Sequence, residues 1–445
     1  MKEQYQFHRN LVMRSPQLPL ESRLDEPTLY ALLQDRLFME AVYLASPVLY
    51  EECRRIRQGE QPDARGLKKV LRSLAKYYTR MYSRCTPFGL FSGCGVAEWA
   101  SGPTTLVLDP NLFYRHTRFD MHYVCALAQF LTGVEEIARQ LGFKCNNSLY
   151  FLGNEARYIE YYYNQGKRTH KISSIQRNEY FDRVLQAATG YHRMETYADL
   201  LVDDSITKEE ALGFIRELIH AQVLVSELEP SITGPEFIHQ IKQTLQNLQA
   251  DEAGILSSAL SFLTKASEAL HQLDHNRIND PASYDSIQAL LRTLPVDFDA
   301  AKLFQCDLSL QLIEKKVADQ YQLQLLEALE LLHRLNPVQA QDMADFIREF
   351  KDRYEDRELP LLEVLDTETG IVYKENSGVE LSPLLNDFVF LKPDQPRLVH
   401  WGKLENFWHK KLEEASAVKA FQIELQADDL SDFPTNRAVF PPSLS

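Results

Sequence analysis

Residues 80–91 read Arg80-Met-Tyr-Ser-Arg84-Cys-Thr86-Pro-Phe-Gly-Leu-Phe91 and close a window, residues 64–86, that holds seven cations and no acid. Lys68, Arg72, Lys76, Arg80 and Arg84 recur every four residues. On a helix, expected over about 66–83, they form one slowly drifting line, with Lys69 and Arg65 beside it. Leu67, Val70, Leu71, Leu74, Tyr78 and Met81 fall on the opposite stripe and predict its buried face. Like charges four residues apart oppose an isolated helix by about 0.2–0.5 kcal/mol per pair. A run of five without acids therefore points to an anionic partner; the plainer reading is a solvated face whose acids come from elsewhere in the fold. Residues 87–100, PFGLFSGCGVAEWA, then predict a turn leading into a glycine-rich, bulged strand. A long amphipathic helix stopping at a turn and a strand sets the fold class, α+β.

Outward from this stretch the pattern stays mixed. Pro27 opens a first helix with Leu29, Leu32, Leu33 and Leu37 on one face. Asp120 has the character of an N-cap for a helix reaching about Gly142. Strands are expected at 149–152 and 158–163. Residues 178–229 read as three helices and a hairpin, an inserted winged helix-turn-helix. Thr207 and Glu210 form a capping box at its third helix, and the strand at 223–228 is closed by Pro230. Helices follow at about 235–249, 255–273, 283–293, 316–335 and 338–353, with strands at 301–310 and 421–425. Three regions are expected: an N-terminal α+β subdomain (1–176), the winged-helix module (177–233), and a mostly helical remainder with strands (234–445).

Composition narrows the function classes. The 445 residues are 44% hydrophobic and 25% charged, with a net charge of −15, ordinary for a soluble globular protein. Nothing approaches the roughly 18 apolar residues of a membrane span. The N-terminus has no apolar signal core. Six cysteines without a CxxC pair fit reduced thiols, and the expected compartment is the cytoplasm. A chain this acidic holds a polyanion only through a local basic patch, and the stripe above is the one candidate. The winged helix-turn-helix would by default bind DNA, but residues 177–229 carry five cations against eleven acids, so no DNA partner is expected. There is no Walker loop, no G-x-S-x-G and no H-E-x-x-H. Gly93-Cys-Gly95 lacks a third glycine, and His271 and His275 lack a third ligand. No metal and no cofactor are expected.

The string Arg80-xxx-Arg84-x-Thr86-Pro-x-Gly-x-Phe resembles the signature of lantibiotic (class I lanthipeptide) dehydratases. Leu11-Val-Met-Arg14-Ser-Pro16, Phe304-Gln-Cys-Asp307-Leu and Arg353-Tyr…Leu359-Pro-Leu-Leu-Glu-Val-Leu…Gly370 are similar to further family segments, in the same order. Glu355 stands where the family has glycine after the tyrosine. The resemblance implies that Arg14, Arg80, Arg84, Thr86 and Asp307 surround a glutamyl-tRNA site, with Lys68, Lys69, Arg72 and Lys76 extending it along the tRNA. It implies transfer of glutamate from tRNA to Ser and Thr hydroxyls of a ribosomal precursor peptide, the first step of dehydration, with glutamyl-tRNA as co-substrate. Exchanging one ester for another needs positioning and oxyanion stabilisation. Arginine supplies a bidentate fork for phosphate and carboxylate. Thr86 is read as an oxyanion donor and Asp307 as the holder of the glutamyl ammonium, the plainer reading of Asp307 being a strand-end residue satisfying a backbone amide.

In the resembled family the winged helix binds the leader of the precursor. Strand addition at Val223, Leu224, Val225, Ser226 and Leu228 is the physical route. The alternative for the whole chain is a non-catalytic binding component, for leader or tRNA, of a split modification enzyme; a plain acidic scaffold is a third reading. No carboxylate–histidine pair is evident in the sequence as a base for eliminating glutamate. The chain alone is therefore expected not to form dehydroalanine, and to work with a separate elimination-domain protein and a cyclase. A homodimer is left open.

Overall fold

The computed structural model describes residues 5–433 apart from 21–23, 61, 165–166, 232, 250–253, 336–340, 367, 372 and 374–400. The chain divides into two compact units, Arg9–Val317 and Ala318–Ser445 with Met1–His8. In the first unit β1 (Asn10–Pro16) precedes helices α1 (Glu26–Leu32), α2 (Arg36–Ala45), α3 (Pro47–Arg57) and α4 (Ala64–Ser83). Strands β2 (Ser92–Ala100) and β3 (Thr105–Phe119) come next, then α5 (Met121–Thr132) and α6 (Glu135–Ala138). Four strands follow: β4 (Phe143–Cys145), β5 (Tyr150–Leu152), β6 (Glu155–Asn164) and β7 (Lys167–Gln176). Helices α7 (Glu179–Ala187), α8 (Met194–Asp199) and α9 (Lys208–His220) lead to β8 (Leu224–Ser226). Helices α10 (Phe237–Gln246), α11 (Ile255–His275) and α12 (Pro281–Leu291) precede the last strand, β9 (Phe304–Ala318).

Sheet order explains how distant motifs meet. The main sheet runs β1-β2-β9-β3, so β9 is inserted between strands that precede it by some 200 residues. Along β9, Cys306, Leu308 and Leu310 are buried while Asp307 and Ser309 are exposed, the period-two alternation of a half-covered sheet. The inner face packs on Phe38 of α2, Leu74 and Met81 of α4, and Phe91. Gly93 lets β2 approach β9: a Cβ there would stand 2.2 Å from the Leu308 carbonyl oxygen. That close approach accounts for the first glycine of Gly93-Cys-Gly95. A second, larger core joins α5, α6 and β4 to α7–α9 and α10–α12, with Leu127, Tyr197, Ile215 and Ile241 fully buried.

The sequence expectations for helices hold closely, including the Thr207–Glu210 capping box on α9 and the Asp120 cap on α5. Four points differ. The helix expected to reach Gly142 stops at Thr132 and resumes as α6, with Gly133 as the first C-cap. β3 and β7, long strands, were not anticipated. The hairpin after α9 is not formed: β8 has three residues and pairs with β4, 80 residues earlier, so three helices are present without the expected wing. Residues 421–425 form no strand, and Phe421 is fully exposed.

The second unit holds α13 (Gln320–Leu335), α14 (Gln341–Tyr354), α15 (Leu361–Val364) and α16 (Lys403–Ala417). Here Arg353 donates to the carbonyls of Gly370 (2.9 Å) and Thr369 (2.7 Å). Glu355 has φ of +57°, the left-handed conformation that glycine adopts without strain. Glu355 thus carries the steric cost of that conformation.

Candidate functional site

The turn after α4 is built by its own residues. Gly89, at φ of +50°, reverses the chain; Phe91 N–H returns to Phe88 O at 3.0 Å, and the Ser92 hydroxyl donates to the Thr86 carbonyl. Phe88 stacks on the buried Phe91 (5.7 Å, 23°), which stacks in turn on Tyr77 of α4 (5.4 Å, 29°). The Arg80 guanidinium lies 4.3 Å from the Phe88 ring centroid. Arg80 is therefore oriented by a cation–π contact. Its Nε is buried with no hydrogen-bond partner among the described residues.

Arg72, Lys76, Arg80 and Arg84 line one open groove along α4, as the four-residue spacing predicts. Lys68 and Lys69, one turn earlier, are exposed. Among the described residues no acid pairs with any of these cations.

The outer face of the main sheet is a second surface. Arg14 on β1 sits opposite Cys94 of β2 and is exposed, two strand spacings, roughly 10 Å, from β9. Asp307 on β9 faces His116 of β3. Its carboxylate, 61% exposed, pairs with Arg118, so it satisfies a neighbouring guanidinium and not a backbone amide. It stands near the start of β9, not at a strand end. Pro87, Phe88, Gly89, Cys94, His116 and Asp307 border one cleft. The structure thus brings the Thr86 turn and Asp307 to one place, with Arg80 joining cleft to groove through Phe88. Thr86 and Arg84 are exposed at the turn.

His116 was missed by sequence reasoning. Its Nε2 contacts the Glu236 carboxylate and its Nδ1 lies 3.9 Å from Asp274. The partners are 120 and 158 residues away, and no local pattern announces them. Among the described residues, no three His, Cys, Asp or Glu side chains gather as a metal site.

The strand expected to take a leader is shorter and deeper than foreseen. Val223, Leu224, Ser226 and Leu228 are buried and Val225 is partly exposed. Asn146 N–H donates to Val223 O (2.8 Å) and Glu227 N–H to Gly142 O (2.9 Å), so odd residues bond toward β4 and even ones turn their amides to the other edge. That edge, carrying Leu224, borders a cleft of about 410 Å³ lined by Ile219, Gln222 and Arg168 among others.

No described helix is long and apolar enough to cross a membrane. The chain is 25% identical over 388 residues to the subtilin biosynthesis protein SpaB of Bacillus subtilis, covering 82% of this chain and 36% of SpaB. It is 28% identical over 121 residues to the nisin biosynthesis protein NisB of Lactococcus lactis subsp. lactis, covering 27% of this chain and 12% of NisB. The fold is similar to that of the tRNA-dependent lantibiotic dehydratase MibB from Microbispora sp. 107891, with TM-score 0.74 and 19% identity over 98% of this chain and 40% of MibB. It is also similar to the glutamylation domain of TbtB from thiomuracin biosynthesis, with TM-score 0.58 and 19% identity over 88% and 48% of the two chains. The chain spans less than half the length of the relatives it matches. The model of the family described as lantibiotic dehydratase, N terminus, matches residues 34–445, and the chain belongs to that family.

Proposed function

We propose that this chain forms the glutamyl-transfer site of a lanthipeptide-type dehydratase, holding glutamyl-tRNA and passing its glutamate to Ser and Thr hydroxyls of a precursor peptide. One observation carries the reading: the acid-free groove of α4 runs into a cleft bordered by the Thr86 turn and Asp307, with Arg80 and Phe88 at the junction. The groove takes the tRNA phosphates, each contact releasing about one counterion. Arg80 and Arg84 hold the acceptor end, and Arg14 lies on the face where the peptide hydroxyl arrives. The oxyanion formed as the ester exchanges needs preorganised donors; the Thr86 hydroxyl, exposed at the turn, is the one assigned that part. Asp307, held by Arg118, is a fixed carboxylate for the glutamyl ammonium. The leader adds a strand at the Leu224 edge, and elimination and cyclisation belong to other domains or polypeptides.

The test uses the full polypeptide with glutamyl-tRNA and precursor peptide, read by peptide mass. Arg80→Ala with Arg84→Ala should abolish glutamate adducts in a folded protein. Lys68→Ala or Arg72→Ala should weaken tRNA binding and lower its salt slope by about one. Normal glutamylation by the double arginine variant would refute the assignment; tRNA binding without any glutamylation by the wild type would leave the binding-component alternative.

A further inference from the structure

We infer that His116, held by Glu236, is the base that takes the proton from the accepting hydroxyl, an inference that rests on the glutamyl-transfer reading of the cleft. β3 is 15 residues long and alternates, so Arg115 and Thr117 turn into the core while His116 turns outward beside Asp307. The ring is 57% exposed and borders the cleft with Phe88 and Gly89. Two carboxylates from distant elements fix it. Glu236, the residue before α10, contacts Nε2; Asp274 on α11 lies 3.9 Å from Nδ1.

Asp274 is itself held by the Thr117 backbone N–H, at 2.9 and 3.1 Å to its two oxygens. A carboxylate at Nε2 selects the tautomer protonated there and leaves the lone pair on Nδ1. The separation of 3.9 Å from Asp274 is too long for a hydrogen bond, so Nδ1 remains an acceptor with negative charge nearby. The other charged groups on this face include Arg14 of β1, Asp307, paired with Arg118, and Lys315, paired with Glu98 at 2.9 Å. Glu236 and Asp274 thus flank the two ring nitrogens, and Asp307 stands opposite on β9. This is the base-plus-orienter arrangement that activates hydroxyl nucleophiles elsewhere.

The step balances without a further reagent. Nδ1 accepts the hydroxyl proton as the Ser or Thr oxygen bonds to the glutamyl carbonyl carbon. The tetrahedral oxyanion then collapses, the bond to the ribose oxygen breaks, and His116 returns the proton to that oxygen. A surface ion pair of purely structural purpose would bring the same three side chains together, but would give no reason for the imidazole to border the cleft beside the Thr86 turn.

The experiment is single-turnover glutamylation by the full polypeptide from pH 5.5 to 9, alongside tRNA and peptide binding. His116→Ala should lower the rate by about 100-fold or more, abolish its imidazole-type pH dependence, and leave both affinities within about twofold. Added imidazole should restore part of the rate, and Glu236→Gln should give an intermediate loss. A wild-type rate and pH profile in folded His116→Ala overturns the dyad alone. Loss of tRNA or peptide binding in step with rate, without imidazole rescue, overturns the base assignment in favour of a structural role. No glutamate transfer by the wild type at any pH overturns the underlying reading, and the dyad with it.

Discussion

Glu40→Ala should unfold the first unit far more readily than any surface change. Glu40 lies on α2 with its side chain fully buried, and Arg115 of β3, 1% exposed, approaches it at 2.7 Å. That contact is an ion pair without hydrogen-bond alignment; the aligned bond of Arg115 runs from Nη2 to the Tyr284 hydroxyl, 2.7 Å. Glu40 also accepts from the Tyr284 hydroxyl at 2.7 Å and from Asn279 N–H at 2.9 Å. One carboxylate therefore ties α2 to β3, to α12 and to the α11–α12 connection, directly behind the strand pair that presents His116 and Asp307.

Removing one partner of a buried pair strands the other charge and costs about 3–5 kcal/mol, a large part of the roughly 5–15 kcal/mol of a domain. With a urea slope near 3 kcal/mol per M, the midpoint should fall by about 1–1.7 M. Glu40→Gln, which keeps acceptors for Tyr284 and Asn279, should fall between. Glu40→Leu with Arg115→Met and Tyr284→Phe should recover much of the loss, since an apolar replacement of a buried pair is often neutral or better. A midpoint within 0.2 M of wild type in Glu40→Ala, roughly 0.6 kcal/mol on the same slope, would refute the claim that this network holds the sheet.

Burial pushes the Cys53 thiol up to about 12 and also raises that of Cys306, whereas Cys85, beside Thr86, is exposed; thiol titration at pH 8 should therefore react first at Cys85. A fast phase surviving Cys85→Ser would contradict this, and bound glutamyl-tRNA should slow the phase in wild type. Glu355→Gly should stabilise the second unit by about 1 kcal/mol, because a side chain at φ of +57° is strained in the left-handed region; an unchanged or lowered melting temperature would refute the strain. Leu224→Pro removes an amide from the outer edge of β8 and should weaken leader binding at least tenfold, with tRNA binding unchanged. Equal leader affinity in the folded variant would move the peptide site elsewhere.

Local chemistry was legible and long-range pairing was not. The four-residue spacing of Arg72, Lys76, Arg80 and Arg84 placed one groove, and Leu74 and Met81 its buried back, because a single helix fixes both. The capping box at Thr207 and the cap at Asp120 are likewise settled within four residues. β3 was missed because its first half, residues 105–112, contains Asp109, Pro110 and Asn111, turn formers in isolation; the register against β9 shifts there and absorbs them as an irregularity. β8 was misjudged for the opposite reason: the run at 223–228 reads as a strand, but does not say which partner it finds, and β4 supplies the pairing that a hairpin would have. The same limit hid His116, whose chemistry depends on residues 236 and 274.

The groove raises a physical question that the net charge of −15 makes sharper. Lys68, Arg72, Lys76 and Arg80 form three successive like-charge pairs on α4, opposing the helix by about 0.6–1.5 kcal/mol in all. The opposite face buries Val70, Leu74 and Met81 to 7%, 0% and 1% exposure, each worth roughly 1.5–3 kcal/mol. Burial outweighs repulsion several-fold, so the fold tolerates an acid-free face without needing neighbouring carboxylates to quiet it. That surplus is what a polyanion site on an acidic protein requires. Compensating acids would screen the groove as well as stabilise the helix. Phosphates bound in the groove would remove the repulsion among the lysines and arginines, so occupancy by tRNA and stability of the helix that ends at Arg80 and the Thr86 turn are thermodynamically linked.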